Sequence, residues 1–353
     1  MARIAYGVQG DAGGHVVRAS AVAQAVGDHE FLFIGGGRTK DLRAEGRSVS
    51  EIPMLGTEYA SSNINLIGTV LNGIKTLADI RGILARVKAM LRDFRPDLVI
   101  TDYEFFTMLA ARRLGIHCIS IDNQHVFTKC LWRQPKGDPL GRILLNASIR
   151  TFYGFADRYF VTNFFQLPPR DPRTTEVFPS VLRQIVRHHT PREEDHILVY
   201  QTSQSFVPLL DTLKTLPHRC VVYGFGERPS VKNLVFKGPS ADGFLDDLAS
   251  CRYAVTNGSA NVISEALYYG KPVLSFPTRF AYEQFHNGYM LRSKGYGDFS
   301  QGFTADLGLF EKFERGLAGY RSRITADGPS CGNDQLGARL NEILGSLTTR
   351  GEE

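Results

Sequence analysis

The sequence predicts an α/β protein of two Rossmann-like domains facing each other across a cleft. Three observations carry that prediction. A β-branched run, Ile4 to Val8, leads through the glycine-rich turn Gly10–His15 into an apolar, alanine-rich segment, Val16 to Val26. That is the strand, turn and helix with which a doubly wound sheet begins. The same alternation starts again at His196. Between the two lies a stretch punctuated by Pro168, Pro169, Pro172 and Pro179 and by the charged run Arg192–Asp195, which reads as the close of one domain and a linker. The expected division is 1–180, a linker at 181–195, a second domain at 196–330, and a C-terminal helix and tail at 331–353.

In the first half, Phe31–Ile34 is the next strand and ends at Gly35-Gly36-Gly37. The spacing of Gly10, Gly13 and Gly14 departs from G-x-G-x-x-G, and no acidic residue closes the second strand, so a dinucleotide site is poorly supported. Thr57–Ile74 is a loop unusually rich in apolar residues, among them Ile64, Leu66, Ile67, Val70, Leu71 and Ile74. A buried helix is the favoured explanation, with an acceptor- or membrane-facing patch as the alternative. Ile80–Phe94 is an amphipathic helix with Arg81, Arg86, Lys88 and Arg92 on its polar side. Leu98–Thr101 is a strand ending at Asp102; Phe105–Leu114 is a helix stopped by Gly115. Cys118–Ile121 is a strand ending in Asp122-Asn123-Gln124-His125. Asp102, Asp122 and His125 thereby line the carboxyl edge of the sheet, where open α/β folds bind ligands. A helix at Leu140–Tyr153 and a strand at Arg158–Thr162 follow.

In the second half, His196–Tyr200, Arg219–Tyr223 and Leu234–Phe236 are strands, with helices at Val207–Leu216 and Gly243–Ser250. The stretch Tyr253–Gln284 is the most informative of the chain. A strand, Tyr253–Thr256, runs into the small-residue turn Asn257–Ala260 and a helix bearing Glu265; Gly270-Lys271-Pro272 stops it, and Val273–Phe276 is the next strand. Such a turn offers backbone N–H groups and the positive end of a helix dipole to an anion. Any βαβ unit also uses small residues there, so the turn alone leaves both readings open. Helices at Phe285–Lys294, Phe310–Tyr320 and Asn333–Leu347 complete the chain.

A length of 353 residues suits two domains of ordinary size, and 43% hydrophobic with 22% charged residues is globular composition. The net charge of +5 is spread out, without a basic block interleaved with aromatics, so no nucleic-acid partner is expected. A small anionic ligand and an anionic membrane surface both remain compatible with it. The five cysteines are scattered and lack metal-ligand spacing, so they read as reduced packing residues. The N-terminus lacks the apolar core of a signal peptide, and no apolar run approaches the ~20 residues that span a bilayer. The expected location is cytoplasmic, with peripheral contact at the inner membrane face as an open addition.

Tyr253–Gln284 resembles the nucleotide-sugar-binding segment of GT-B glycosyltransferases. The likeness is to the branch of the lipid-linked peptidoglycan N-acetylglucosaminyltransferase and its bacterial and archaeal relatives. It rests on Asn257-Gly258, Ser264-Glu265-Ala266-Leu267, Gly270-Lys271-Pro272-Val273-Leu274 and Glu283-Gln284, and at the other end on Gly13-Gly14-His15 with Arg18. The resemblance implies a GT-B fold and a nucleotide-diphosphate sugar, UDP-linked, as donor. It implies that Glu265 accepts the ribose hydroxyls, since a carboxylate can bridge a diol. Gly258, Ser259 and Asn261 would hold the diphosphate, with Thr202 and Ser203 helping; Glu283 and Gln284 would face the donor sugar. Phe236 would lie at the base pocket, and Gly14 and Arg18, in the N-terminal glycine-rich loop, would also bind the donor. Ser259-Ala260 stand where relatives often carry Gly then His, which leaves the donor's identity open.

Sugar transfer needs a base for the acceptor hydroxyl and stabilisation of the departing diphosphate. His15, on the turn facing the cleft, is the candidate base, with capping or phosphate binding as its plainer role. Asp102 is the second catalytic candidate, followed by Asp122 and His125; each is equally a strand-end cap by residue type. No DxD-type carboxylate pair is seen near a strand end, and the fold typically dispenses with a metal, so no metal and no cofactor are expected. The branch implies inversion. The expected partners are a nucleotide sugar and a small-molecule or lipid-linked acceptor. Two other readings stay open: a UDP-sugar 2-epimerase of the same fold, and a catalytically silent nucleotide-sugar-binding protein.

Overall fold

The computed structural model describes all residues except 12, 57, 58, 61, 62, 202–206, 303, 329 and 351–353. The first half runs β1 (Arg3–Val8), α1 (Gly13–Val26), β2 (Glu30–Gly35), β3 (Ser48–Glu51), the short pair β4 (Tyr59–Ala60) and β5 (Asn63–Ile64), α2 (Leu66–Ala78) and α3 (Ile80–Phe94). It continues with β6 (Leu98–Asp102), α4 (Phe105–Leu114), β7 (Cys118–Asp122), α5 (Val126–Lys129), α6 (Pro139–Phe152), β8 (Arg158–Asn163) and β9 (Thr175–Pro179). The second half comprises β10 (His196–Tyr200), α7 (Val207–Leu213), β11 (Arg219–Tyr223), β12 (Leu234–Phe236), α8 (Ala241–Ser250), β13 (Tyr253–Thr256) and α9 (Ala260–Tyr268). It ends with β14 (Val273–Ser275), α10 (Tyr282–Lys294), β15 (Gly297–Phe299), α11 (Leu307–Asp327) and α12 (Asn333–Arg350).

Each half is one parallel sheet, ordered β3-β2-β1-β6-β7-β8-β9 in the first and β12-β11-β10-β13-β14-β15 in the second. The central strands β6, β7 and β13 are buried along their whole length. That is the consequence of helices covering both faces of a parallel sheet, and it explains why these strands read as continuous apolar runs rather than alternating ones. Local chemistry sets the helix ends. The Glu104 carboxylate accepts the Phe106 and Thr107 N–H groups at 2.9 and 2.7 Å and starts α4, and Asp138 with Pro139 starts α6.

Two features join the halves. A shared core packs Val126, Phe127, Phe164 and Phe165 of the first half against Tyr282, Phe285, Met290 and Phe299 of the second. The C-terminal helix α12 crosses back to the first half, where Leu336, Leu340, Ile343 and Leu344 pack with Ile4, Tyr6 and Val22. Gly337 permits the close approach: a methyl group there would lie 2.3 Å from the Ala25 carbonyl oxygen.

Two expectations are corrected. Within Thr57–Ile74, the part from Leu66 on is neither loop nor buried helix, for α2 is helical yet Ile74 is 59% exposed; residues 57, 58, 61 and 62 of that stretch lie outside the described residues. The proline-punctuated segment before the linker contains β9, which pairs with β8 from Thr175 to Pro179. Pro179 fits because it ends the strand, at the sheet edge, where no ladder N–H is required. The short strands β3 and β15 carry too few apolar residues to be read from sequence.

Candidate active site

Strand order reverses at the centre of both sheets, and Gly14, His15, Asp102, Gly258, Ser259 and Asn261 lie at these two places. In the first sheet the reversal lies between β1 and β6, with Val8 beside Asp102. In the second it lies between β10 and β13, with Tyr200 beside Thr256. Ligands of open α/β sheets bind beyond the carboxyl ends of strands at such reversals. Helices α1 and α9 begin there, and Asn261 Nδ2 on α9 donates to the Gly14 carbonyl on α1 at 2.9 Å. The N-termini of two helices therefore meet across the cleft.

On the first-half side, His15 Nδ1 lies 2.7 Å from Asp102 Oδ1. Arg18 clasps the same carboxylate, Nε to Oδ2 at 2.7 Å and Nη2 to Oδ1 at 2.6 Å, and also donates to Asn123 Oδ1 at 3.0 Å. The Arg18 Nη2 to His15 Nδ1 approach of 3.0 Å follows because both nitrogens meet one oxygen. A guanidinium only donates, and 2.7 Å to a carboxylate requires a proton on Nδ1, so Nδ1–H donates to Asp102 and Nε2 is the ring nitrogen that Asp102 does not hold. Asp102 is fully buried and His15 nearly so, 14% of its side chain remaining exposed. Arg18, expected among the donor ligands, is instead spent on Asp102 and Asn123 behind the site; burial lowers its affinity for a proton, yet the adjacent Asp102 raises it further.

Asp122 and His125 form a separate buried pair. His125 Nδ1 meets Asp122 Oδ2 at 2.7 Å, and Nε2 meets the Tyr153 carbonyl at 2.9 Å, so both ring nitrogens are occupied by acceptors. Burial pushes the Asp122 carboxyl up, but His125 and Ser120 outweigh it and hold it well below the usual carboxylate range. The geometry makes this pair a brace under the sheet edge, with no nitrogen left for an acceptor hydroxyl.

On the second-half side, Gly258 has φ 90°, and a methyl group there would stand 2.7 Å from the Gln284 carbonyl oxygen, so the turn requires glycine. Ser259 precedes α9 without capping it through its hydroxyl, which leaves the first N–H groups of that helix open to an anion. Glu265 is buried, and its two oxygens accept Arg183 Nε and Nη2 at 2.8 and 2.9 Å. Burial raises the Glu265 carboxyl, and Arg183 opposes that rise. Glu283 accepts Asn123 Nδ2 at 2.7 Å and Gln124 Nε2 at 3.0 Å from the opposite half. Gln284 accepts the Thr278 N–H through Oε1 at 2.9 Å. Phe236 sits in the second-half core with the Arg228 guanidinium 4.0 Å over its ring. Thr202 and Ser203 lie outside the described residues.

Arg183, Asn123 and Gln124 were not singled out in sequence. Asn123 and Gln124 stood in the strand-end run whose flanking Asp122 and His125 drew attention; Arg183 lies in the linker, where nothing local marks it. Among the described residues no three His, Cys, Asp or Glu side chains gather as a metal ion would need, and no helix is long and apolar enough to cross a membrane.

Comparison with known proteins bears on this geometry. An uncharacterised glycosyltransferase of Methanosarcina acetivorans is 24% identical over 327 residues, covering 82% of this chain and 83% of that protein. Phytolacca americana UGT2, solved with UDP-2-fluoro-glucose and pterostilbene, superposes with a TM-score of 0.68 at 13% identity, covering 99% of this chain and 100% of that one. MurG of Acinetobacter baumannii superposes with a TM-score of 0.60 at 13% identity, covering 97% of this chain and 100% of that one. These likenesses give the fold as GT-B. The glycosyl transferase family 1 profile matches residues 2–314, taking in both sheets and the facing edges that carry His15, Asp102, Glu265 and Glu283, and the chain belongs to that family of glycosyltransferases.

Proposed function

We propose that the chain catalyses inverting, metal-independent transfer of a sugar from a UDP-sugar to a hydroxyl of a small-molecule or lipid-linked acceptor. The observation that carries this reading is the meeting of the two sheet reversals. His15 with Asp102 stands on one side and the open N-terminus of α9 on the other, tied by Asn261 to Gly14 at 2.9 Å. His15 Nε2 takes the proton of the acceptor hydroxyl while that oxygen bonds to the anomeric carbon. The anomeric carbon–phosphate oxygen bond breaks, its electron pair goes to the β-phosphate, and UDP departs. The N–H groups of Gly258, Ser259 and Asn261 stabilise that charge in place of a cation. Glu265 takes the ribose hydroxyls through the lone pairs Arg183 leaves free, and Glu283 and Gln284 take the hydroxyls of the sugar. The UDP-2-fluoro-glucose held by the Phytolacca americana enzyme supports UDP as the carrier.

A membrane-borne acceptor is supported by α6. Leu140, Ile143 and Leu144 are exposed on one helix face, Ile143 at 60%. Arg133, Lys136, Arg142 and Arg150 flank them in sequence, with Asp138 the one carboxylate from Arg133 to Arg150. An apolar stripe with a basic rim fits the surface of an anionic bilayer.

Thermal denaturation with UDP, UDP-glucose and UDP-N-acetylglucosamine tests the donor assignment. A ligand at a hundred times its Kd adds about 2.7 kcal/mol to the folded state. UDP should raise the midpoint, and Glu265→Ala should abolish most of the rise. If no nucleotide diphosphate shifts the midpoint of the wild-type chain, the proposal fails.

A further inference from the structure

Tyr103 follows Asp102 directly and is one of five non-glycine residues with a left-handed backbone among the described residues, at φ 55°. That conformation is costly for a bulky side chain. It persists where the surrounding packing over-determines it, often at functional sites. Here the turn lays the phenol ring among defined partners. It stacks on Tyr153, with centroids 3.8 Å apart and planes 17° apart, and lies nearly parallel to the His15 imidazole at 5.9 Å and 8°. Tyr153 is itself fixed, because its carbonyl accepts His125 Nε2 at 2.9 Å and His125 is held by Asp122. A continuous chain of contacts thus runs from β7 through the buried Tyr153 and the partly buried Tyr103 to His15.

We infer that Tyr103 is a positioning residue for His15. The bond to Cβ and the hydrogen bond from Nδ1 to Asp102 hold one edge of the imidazole and leave the ring plane free to swing about that edge. A flat aromatic face parallel to the imidazole removes the swing and keeps Nε2 directed into the cleft. The inference rests on the reading of His15 as the base and adds the residue that sets its orientation.

Two substitutions separate this role from simple support of the fold. Tyr103→Asn removes the ring while tolerating a left-handed backbone, so the turn survives. Tyr103→Phe keeps the ring and removes the hydroxyl. UDP release from UDP-glucose, with water as acceptor, and the Kd for UDP are measured for both, with His15→Ala alongside. Tyr103→Asn should lower kcat between about tenfold and a hundredfold, the effect of a misplaced catalytic group. The Kd for UDP should stay within twofold, and Tyr103→Phe should retain most of kcat. Wild-type kcat in Tyr103→Asn, or an equal loss in Tyr103→Phe, overturns the inference. If His15→Ala turns over like the wild type, or the wild type releases no UDP, the reading of the base fails and this inference falls with it. An inactive His15→Ala beside an unimpaired Tyr103→Asn sinks the inference about Tyr103 alone.

Discussion

Asp102→Asn is the most informative single change, because Asp102 serves two neighbours at once. Its carboxylate is fully buried and receives two bonds from Arg18, at 2.7 and 2.6 Å, and one from His15 at 2.7 Å. Asparagine keeps the shape but turns one oxygen into an NH2 group, so one of the three donors must face another donor. Arg18 is then a buried cation without its counter-charge, left with the one remaining side-chain oxygen at position 102 and with Asn123 at 3.0 Å as acceptors. Breaking one partner of a buried ion pair costs about 3–5 kcal/mol. Catalysis should suffer separately: His15 loses the acceptor that fixes its tautomer, and general-base help is worth about 10²–10⁴ in rate, or roughly 3–5 kcal/mol of barrier. The two losses are resolved by adding Arg18→Met, which removes the orphaned cation and fills its volume with an apolar chain. Urea denaturation should show Asp102→Asn destabilised and the double variant largely recovered. UDP release should remain depressed in both. Turnover that recovers together with stability would show that Asp102 acts on the fold and not through His15. An unchanged urea midpoint in Asp102→Asn would refute the buried ion pair itself.

Two further outcomes are expected. His286 is buried among Phe127, Trp132 and Phe165, at 4.9, 4.2 and 5.2 Å between ring centroids, with neither nitrogen partnered, and burial pushes its pKa down to about 3. Because the folded value lies below the unfolded one, its contribution is complete above about pH 6.5 and is lost as pH falls toward about 3, at about 1.4 kcal/mol per unit. Between pH 7 and 4.5, urea denaturation should show the wild type losing about 2–3 kcal/mol more than His286→Phe; an equal loss in both removes His286 as the cause. On α6, Ile143→Glu and Leu144→Glu should abolish co-sedimentation with phosphatidylglycerol vesicles while leaving the melting temperature unchanged. Wild-type protein that fails to sediment with those vesicles, or does so equally with phosphatidylcholine, excludes the membrane surface.

The parts of the fold legible in sequence were those specified locally. Strands such as Leu98–Asp102 and Cys118–Asp122 are apolar because both faces are covered, and the glycine turn before α1 announces its own geometry. The small-residue turn at Asn257–Ala260 was legible for the same reason, since a positive φ at Gly258 is a property of one residue. Partnerships were not legible. Arg18 finds Asp102 across 84 positions and Arg183 finds Glu265 across 82; the glycine-rich motif marked Arg18 without its partner, and nothing local marks Arg183. The exposure of α2 escaped for a related reason: periodicity identifies an apolar face but cannot say whether anything covers it.

The cross-cleft contacts explain how these two halves can lie together and still admit a ligand. Asn261 donates to Gly14, and Asn123 and Gln124 donate to Glu283, at 2.9, 2.7 and 3.0 Å. Net contributions of such bonds are about 0.5–3 kcal/mol each, the upper part of that range applying to the carboxylate. A sugar hydroxyl is a donor of the same kind as the amides now on Glu283, so on the proposed reading a bound UDP-sugar exchanges one set of hydrogen bonds for another without leaving the carboxylate bare. Glu265 behaves alike, because Arg183 occupies one lone pair on each oxygen and spares the others for a diol. Both carboxylates are thus kept satisfied and oriented before the ligand arrives. The ordering cost at these two groups is met in folding, and the affinity of the donor can go toward the diphosphate, where charge develops as the sugar leaves.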